Sequence, residues 1–211
     1  MDEMLEFPKQ ALENLRVPLE DKEIHITRKG NQVIFPSNFI LAAATNPCRC
    51  GFLGDDNHKC TCTQTEINSY RSKLSGPLAD RIDIAVEINR IHYRELENSD
   101  EIKDDLTSSA MKEKILIARE IQKERYKYLP FTSNSNIADK YIKDICRLDV
   151  RCKEFMQSIY EKYNISPRRY YKILKVARTI SDIKEKEKIE IEEIAAAFHY
   201  TRFLAEGTVH V

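Results

Sequence analysis

Residues 38–45, N-F-I-L-A-A-A-T, form a nearly unbroken apolar run that leads into the polar pair Thr45-Asn46. A strand with one face in water would alternate apolar and polar residues, and this run does not. The pattern is typical of a strand buried on both faces, as in a parallel sheet covered by helices. It predicts an α/β fold, with the following residues at the carboxyl edge of the sheet.

The residues around this run supply too little for a complete sheet. Residues 23–36 alternate on both sides of a K-G-N turn and predict a β-hairpin, with Gly30 and Asn31 available for positive φ. Residues 82–88 alternate strictly and predict another strand, while residues 8–19 and 65–74 have helical patterns. A covered parallel sheet needs more strands, so we expect half of an α/β domain, with an incomplete sheet.

The second half of the chain is helical in pattern. Helices are predicted at about 108–128, with Ser108 as N-cap, and at about 137–146, 149–163 and 191–204. Another begins at Ser166-Pro167, a capping serine followed by proline. We therefore expect an α/β part over residues 1–91 with a cysteine insertion at 47–63, a linker over 92–107, an all-α domain over 108–204 and a tail over 205–211.

Composition bears on location more than on activity. Lys and Arg (34) balance Asp and Glu (34), so the net charge favours neither nucleic acid nor membrane as a partner. No apolar run reaches the roughly 20 residues of a membrane-spanning helix, and the acidic start lacks the layout of a signal peptide. We expect a cytoplasmic protein without a membrane partner, in which clustered cysteines predict a metal or redox site before a disulfide.

Four of the six cysteines follow the pattern C-x-C-x9-C-x-C directly after the apolar run. They are Cys48, Cys50, Cys60 and Cys62. Four thiolates in two local pairs can complete the tetrahedral shell of a structural Zn²⁺, which leaves no open position for catalysis. The spacing C-x2-C is more common, so disulfides or free thiols are the alternatives.

Other residues near the pattern have simpler interpretations. His58 is either a substitute ligand or a loop residue in solvent. Cys146 and Cys152 lie on helical patterns and are expected in a core. Arg49 and Lys59 could contact DNA phosphates, but two aspartates in the same loop offset their charge.

Three polar residues in the first part could serve a nucleotide. Asp2 and Glu3 resemble a strand-end pair in which one carboxylate holds Mg²⁺ and the other orients a water, although adjacent acids near a terminus are usually just solvated. Asn46 follows the apolar run at the edge where open α/β sheets bind ligands. Its alternative role is to cap the turn before Pro47.

Arginines provide the remaining candidates. Arg81 could reach a phosphate as a bidentate donor, or form a surface salt bridge. Arg168 and Arg169 lie in the first turn after Ser166, where positive charge opposes the helix dipole unless an anion docks there. Arg178 is expected at the surface or in an interdomain contact.

The order of these signals, together with several longer motifs, resembles the second half of an AAA+ ATPase. The motifs are M-D-E-M-L-E-F, P-L-E-D-K-E-I-H-I-T-R, F-P-S-N-F-I-L-A-A-A-T-N-P-C-R-C-G, C-T-C-T, L-S-G-P-L-A-D-R-I-D and S-P-R-R-Y-Y-K-I-L-K-V-A-R-T-I-S-D. Within that class the chain is similar to the magnesium-chelatase-like subgroup, in particular to competence proteins of the ComM/YifB type. The resemblance covers about residues 1–204.

The resemblance implies roles for the candidate residues. Asp2 and Glu3 match the Walker B pair, Asn46 matches sensor 1, Arg81 the arginine finger and Arg168 sensor 2 on a helical lid. Residues 23–35 match the presensor-1 hairpin. It further implies ATP with Mg²⁺, a homo-oligomeric ring that is commonly a hexamer, and work on DNA such as branch migration.

One element of this family is missing from the sequence. No G-x-x-x-x-G-K-[ST] phosphate loop occurs, and the five glycines are scattered. We therefore expect a C-terminal portion that does not hydrolyse ATP by itself. Two alternatives are a chelatase-type motor subunit acting on a protein or tetrapyrrole partner, and a non-enzymatic zinc-binding interaction module with a degenerate nucleotide site.

Overall fold

A computed structural model describes residues 1–88 and 106–202. Two compact units comprise residues 1–85 and 86–201. The first unit contains a 3₁₀ turn at Met4–Glu6 and the elements α1 (Lys9–Glu13), α2 (Arg16–Asp21), β1 (Glu23–Arg28), β2 (Asn31–Pro36), α3 (Gln64–Arg71) and α4 (Gly76–Ala79). The fold is therefore a mixture of helices and a small sheet.

The helix predicted over residues 8–19 is divided into α1 and α2. A continuous helix would need the N–H of residue 18 to bond the carbonyl of Asn14, but residue 18 is proline. Proline has no N–H, and its ring would collide with that carbonyl. In the structure the chain ends α1 at Asn14, and Pro18 lies in the first turn of α2, where proline is tolerated.

The predicted hairpin is confirmed. β1 pairs antiparallel with β2, with Ile24 opposite Phe35 and Ile26 opposite Val33. Positive φ occurs at Lys29 (50°) and Gly30 (81°), so the expectation of positive φ at Asn31 is wrong. The two turn residues are those of a type I′ turn, in which both central residues have positive φ.

The predictions of parallel-sheet strands at 38–45 and 82–88 are wrong for the part of the chain that the structure describes. Its only sheet is the β1–β2 hairpin. Residues 38–45 form three backbone hydrogen bonds with residues 1–4, and Ile40 is 95% exposed. Because a regular strand needs a neighbour along its length, an apolar pattern alone does not produce one.

A small core holds the first unit together. Leu12 and Leu78 are fully buried, and Met4, Leu5 and Tyr70 pack with them. The capping box at the start of α3 joins Thr63 to Glu66, and the Ser75 side chain caps α4. The core thus links the start of the chain to the helices that follow the cysteines.

The second unit is helical, as predicted. Its elements are α5 (Ser108–Arg125), a 3₁₀ turn at Asn134–Asn136, α6 (Asp139–Ile145), α7 (Val150–Lys162), α8 (Pro167–Ile183) and α9 (Ile191–Arg202). Ser166 caps α8 as expected, but the N-cap of α5 is Thr107 and not Ser108. Most of the predicted 92–107 linker and the 205–211 tail lie outside the described residues.

An apolar core fills this unit and includes buried polar side chains, among them Asp182 and Glu193. Cys146 and Cys152 belong to the core, as predicted. The expectation for Arg178 is wrong, because it is 3% exposed and bonds Asp182 in the same helix. Its guanidinium also donates to the carbonyls of Lys186 and Glu187, so it holds the chain that follows the C-terminal end of α8. Among residues 1–88 and 106–202, no helix has the length and apolarity needed to cross a bilayer.

Candidate functional site

The structure brings the four cysteines of the predicted motif together. The Sγ atoms of Cys48, Cys50, Cys60 and Cys62 all lie within 4.8 Å of one another. Three of these separations are 3.4, 3.5 and 3.7 Å. Four sulfurs at about 2.3 Å from a tetrahedral Zn²⁺ would be about 3.8 Å apart, whereas bonded sulfurs are about 2.0 Å apart. All four thiols are free, and their arrangement is compatible with zinc.

The electrostatics of the cluster also suit a cation. Backbone N–H groups of Phe52 and Thr61 donate to Cys50 and lower the pKa of its thiol to about 5. The N–H of Cys62 favours the thiolate of Cys60, but desolvation and the neighbouring sulfurs outweigh it and raise the Cys60 pKa to about 12. The cluster thus forms one thiolate easily and resists further ones, a repulsion that a bound divalent ion would remove.

Residues 47–62, which we call the knuckle, fold back through two glycines. Gly51 and Gly54 both have positive φ, near 83°. Asp55 Oδ1 accepts hydrogen bonds from the N–H groups of Asn57 and His58 at 2.8 and 2.9 Å. The His58 ring stacks on Phe52 with centroids 4.9 Å apart, and His58 is not part of the sulfur cluster.

Backbone hydrogen bonds place the predicted acidic pair beside the end of the apolar run. The Met1 amine donates to the Ala42 carbonyl at 2.7 Å, and the Ala44 N–H donates to the Met1 carbonyl at 2.9 Å. This is the pattern that two parallel strands form around one residue pair. The Met4 N–H then donates to the Ala44 carbonyl, so the backbone on both sides of Asp2 and Glu3 is bonded to Ala44, two residues before Asn46.

The local geometry of the pair is unusual. Glu3 adopts a left-handed conformation, with φ 46° and ψ 46°, which is uncommon for a residue other than glycine. Its N–H donates to the Asp2 carboxylate at 3.0 Å. Asp2, Glu3 and Asn46 are all exposed, so a ligand could reach their side-chain oxygens.

Arg81 belongs to the same unit but is held inside it. Its guanidinium pairs with Glu20 of α2 and donates to the Pro77 carbonyl, and the side chain is only 11% exposed. Arg168 is exposed in the first turn of α8, whereas Arg169 donates to the Thr201 carbonyl at the other end of the helical unit's chain. Of the two adjacent arginines, Arg168 is thus the more accessible to a ligand.

Three contacts of these residues have no signal in the sequence. Glu20 is 61 positions before Arg81, and nothing local pairs them. Tyr70 and Arg71 of α3 contact the residues on either side of Asn46: the Tyr70 hydroxyl lies 3.5 Å from Thr45 Oγ1, and Arg71 Nε donates to the Pro47 carbonyl at 3.0 Å. Only tertiary structure reveals these pairs.

Comparison with known families defines the class. The family model for magnesium chelatase, subunit ChlI, matches residues 1–96, and the model for the C-terminal part of that subunit matches residues 105–201. The chain therefore belongs to the magnesium-chelatase-like AAA+ family, as its motifs predicted.

Individual relatives agree with this membership. The chain is 36% identical over 201 residues to competence protein ComM of Haemophilus influenzae, an alignment that covers 95% of this chain and 38% of that protein. It is 31% identical over 200 residues to the uncharacterized protein YifB of Escherichia coli, with 95% and 38% covered. The chain therefore spans less than two fifths of the length of these relatives.

Proposed function

We propose that this chain is part of an ATP-driven AAA+ ring motor whose longer form works on DNA. The observation that supports the proposal is the pairing of residues 1–4 with residues 42–44, since it bonds the backbone on both sides of Asp2 and Glu3 to Ala44, two residues before Asn46. Carboxylates and a neutral amide on neighbouring backbone segments are the groups needed to hold Mg²⁺ and a water near a phosphate.

Each residue has a distinct role in this proposal. ATP with Mg²⁺ supplies phosphoryl-transfer chemistry when bound. The exposed Asp2 carboxylate is the expected Mg²⁺ ligand, and Glu3 orients the attacking water and accepts its proton. Asn46 donates an amide hydrogen bond to a phosphate oxygen or positions the same water.

Two arginines complete the proposed site. Arg168 acts from the helical lid as a donor to phosphate, a role that its exposure near the N-terminus of α8 supports. Arg81 acts as the arginine finger on the nucleotide of a neighbouring subunit in the ring, expected to be a hexamer. For this it must exchange Glu20 for phosphate oxygens, which a guanidinium binds in the same bidentate manner as a carboxylate.

The phosphate loop must come from elsewhere in a longer protein. The 211 residues contain no G-x-x-x-x-G-K-[ST] sequence, and they correspond to 38% of the length of ComM. We infer that the 211 residues alone do not hydrolyse ATP, because nothing in them would cradle the phosphates.

The four cysteines have a separate, structural role in the proposal. We infer that they hold one Zn²⁺, since their sulfur separations fit a tetrahedral shell that leaves no open position. A DNA partner is supported by the similarity to a competence protein. A chelatase-type action on a protein or tetrapyrrole partner is the second candidate, supported by the family models that match.

The proposal is tested on the longer protein by changing Glu3→Gln. We expect ATP turnover to fall by about 100-fold or more, because a positioned general base contributes roughly that factor, while ATP binding persists. Asp21→Asn, an exposed acid at the end of α2, is the matched control and should keep full turnover. Equal turnover in both variants would reject the assigned role.

Measurements on the same longer protein distinguish DNA from a protein or tetrapyrrole partner. If the motor works on DNA, branched DNA should stimulate ATP turnover, and its binding should weaken steeply with added salt. Stimulation by a tetrapyrrole-binding partner, with no response to DNA, would favour the chelatase candidate.

A further inference from the structure

The knuckle lies between Asn46, a residue of the proposed nucleotide site, and the start of α3. Its first residue, Pro47, follows Asn46, and its last, Cys62, precedes the N-cap Thr63 of α3. Because the four sulfurs converge, the two ends of the knuckle are brought together. Cys48, the ligand nearest Asn46, is fully buried.

Helix α3 contacts the chain on both sides of Asn46. On the preceding side, Tyr70 OH lies 3.5 Å from Thr45 Oγ1, and Tyr70 is 5% exposed. On the following side, Arg71 Nε donates to the Pro47 carbonyl at 3.0 Å. Two contacts to one helix thus flank Asn46 in the chain, and that helix starts at Gln64, two residues after Cys62.

The backbone before Asn46 is attached to the acidic pair. Ala44 donates its N–H to Met1 and accepts from the N–H of Met4, so it is bonded on both sides of Asp2-Glu3. The position of Asn46 relative to that pair therefore depends on a short path: residues 1–4, Ala44, Asn46 and α3. Besides the sulfur cluster, a few hydrogen bonds and the packing of Met4 and Tyr70 in the small core hold this path.

We propose that a metal ion bound by the four thiols acts as a clamp that fixes the backbone of residues 44–47 against α3. Thiol–thiol contacts are weak hydrogen bonds, so without a metal the cysteine side chains join the start of α3 to Cys48 only weakly. Metal–thiolate bonds would close the loop and hold both attachments of Asn46 in place. Asn46 becomes a positioned residue because of the metal, although the metal never contacts a nucleotide.

The clamp itself does not depend on the proposed function. Only its effect on nucleotide sensing by Asn46 rests on that function. The clamp concerns this chain's own backbone, and it is tested without ATP. The experiment uses the 211-residue chain, loaded with Zn²⁺ or stripped by a chelator, with metal content measured and amide hydrogen exchange read residue by residue. We expect one zinc per chain in the loaded form.

Stripping the metal should speed exchange at the Ala44 and Met4 amides by at least fivefold. Hairpin amides of β1 and β2 and the amides of α8 are the internal controls and should not change. The clamp is overturned if only knuckle amides such as Gly51 and His58 respond, if no zinc binds, or if all of these amides exchange faster together, because the metal would then hold the whole fold.

A pair of variants tests the same path with the metal in place. Arg71→Gln removes the bond to the Pro47 carbonyl but leaves all four thiols, so it should keep one zinc and still speed exchange at Ala44 severalfold. Lys59→Gln, which changes an exposed charge inside the knuckle, should keep both zinc and slow exchange. Slow exchange at Ala44 in the zinc-loaded Arg71→Gln variant would contradict the proposal.

The two proposals can fail separately. If the longer protein shows no ATP turnover but metal removal still speeds exchange at Ala44, the proposed motor function is rejected and the clamp stands. If the longer protein turns over ATP but exchange at Ala44 does not change with zinc, the clamp is rejected and the proposed motor function stands.

Discussion

The buried carboxylate of Asp182 binds three other side chains in the helical unit. Its carboxylate accepts two hydrogen bonds from Arg125, at 2.8 and 2.5 Å, and one each from Asn134 and Arg178. Asp182 is fully buried and Arg178 is 3% exposed. Burial of these charges is tolerable only because every one of them is paired.

Changing Asp182→Asn should therefore destabilise the helical unit strongly. It leaves Arg178 buried without its counter-charge, which typically costs about 3–5 kcal/mol of the free energy of unfolding. Urea unfolding followed by circular dichroism measures this loss. Asp144→Asn, on an exposed position of α6, is the control and should change stability by less than about 0.5 kcal/mol. Similar unfolding midpoints for the two variants would contradict the role given to the cluster.

At the scale of elements, the start of α9 depends on one buried acid. Glu193 is fully buried, yet it accepts hydrogen bonds from Lys184 at 2.7 Å, Lys186 at 3.1 Å and the Glu190 N–H at 3.2 Å. The last of these satisfies an N–H just before α9, as the acid of a capping box does. Burial opposes ionisation of Glu193, but the three donors outweigh it, so its pKa lies below the ordinary value of 4.5.

This lowered pKa gives a pH dependence with a definite sign. The folded pKa is below the unfolded one, so the stabilisation is fully present above about pH 5 and is lost as pH falls through the folded pKa. At pH 7 we expect Glu193→Gln to lower the free energy of unfolding by about 1–3 kcal/mol. The difference from the unchanged chain should shrink as pH falls below 4.5. A difference that is constant with pH would show that ionisation of Glu193 is not what stabilises α9.

Elements set by local sequence could be predicted, and those that depend on distant partners could not. The β1–β2 hairpin, the cap at Ser166 and the convergence of the four thiols follow from neighbouring residues, although positive φ in the turn falls at Lys29 and Gly30 and not at Asn31. The apolar run at 38–45 carries the pattern of a buried strand, but a strand also requires backbone partners on its flanks. The expectation for Arg178 was wrong for a similar reason. Asp182 lies only one helical turn away, but Arg125, which binds the same carboxylate, and the carbonyls beyond the end of α8 become neighbours only in the folded chain.

For the whole molecule, the pairing of Arg81 with Glu20 raises the question of which subunit Arg81 serves. A finger that acts on a neighbour must leave Glu20, whereas an arginine that serves only its own subunit can stay. In the ring that we propose, every interface is head-to-tail, so each site would combine Glu3 of one subunit with Arg81 of the next. Two variants of the longer protein, Glu3→Gln and Arg81→Ala, are each expected to be inactive alone.

Mixing these two inactive variants separates the possibilities. In a ring assembled at random from equal amounts, about a quarter of the head-to-tail sites pair an intact Glu3 with an intact Arg81. ATP turnover should therefore return to about a quarter of the normal value if Arg81 acts across the interface. Glu20→Gln should remain active, because it removes only the partner that Arg81 has to leave. Mixed rings with no turnover, formed from variants that do co-assemble, would place Arg81 in a structural role beside Glu20.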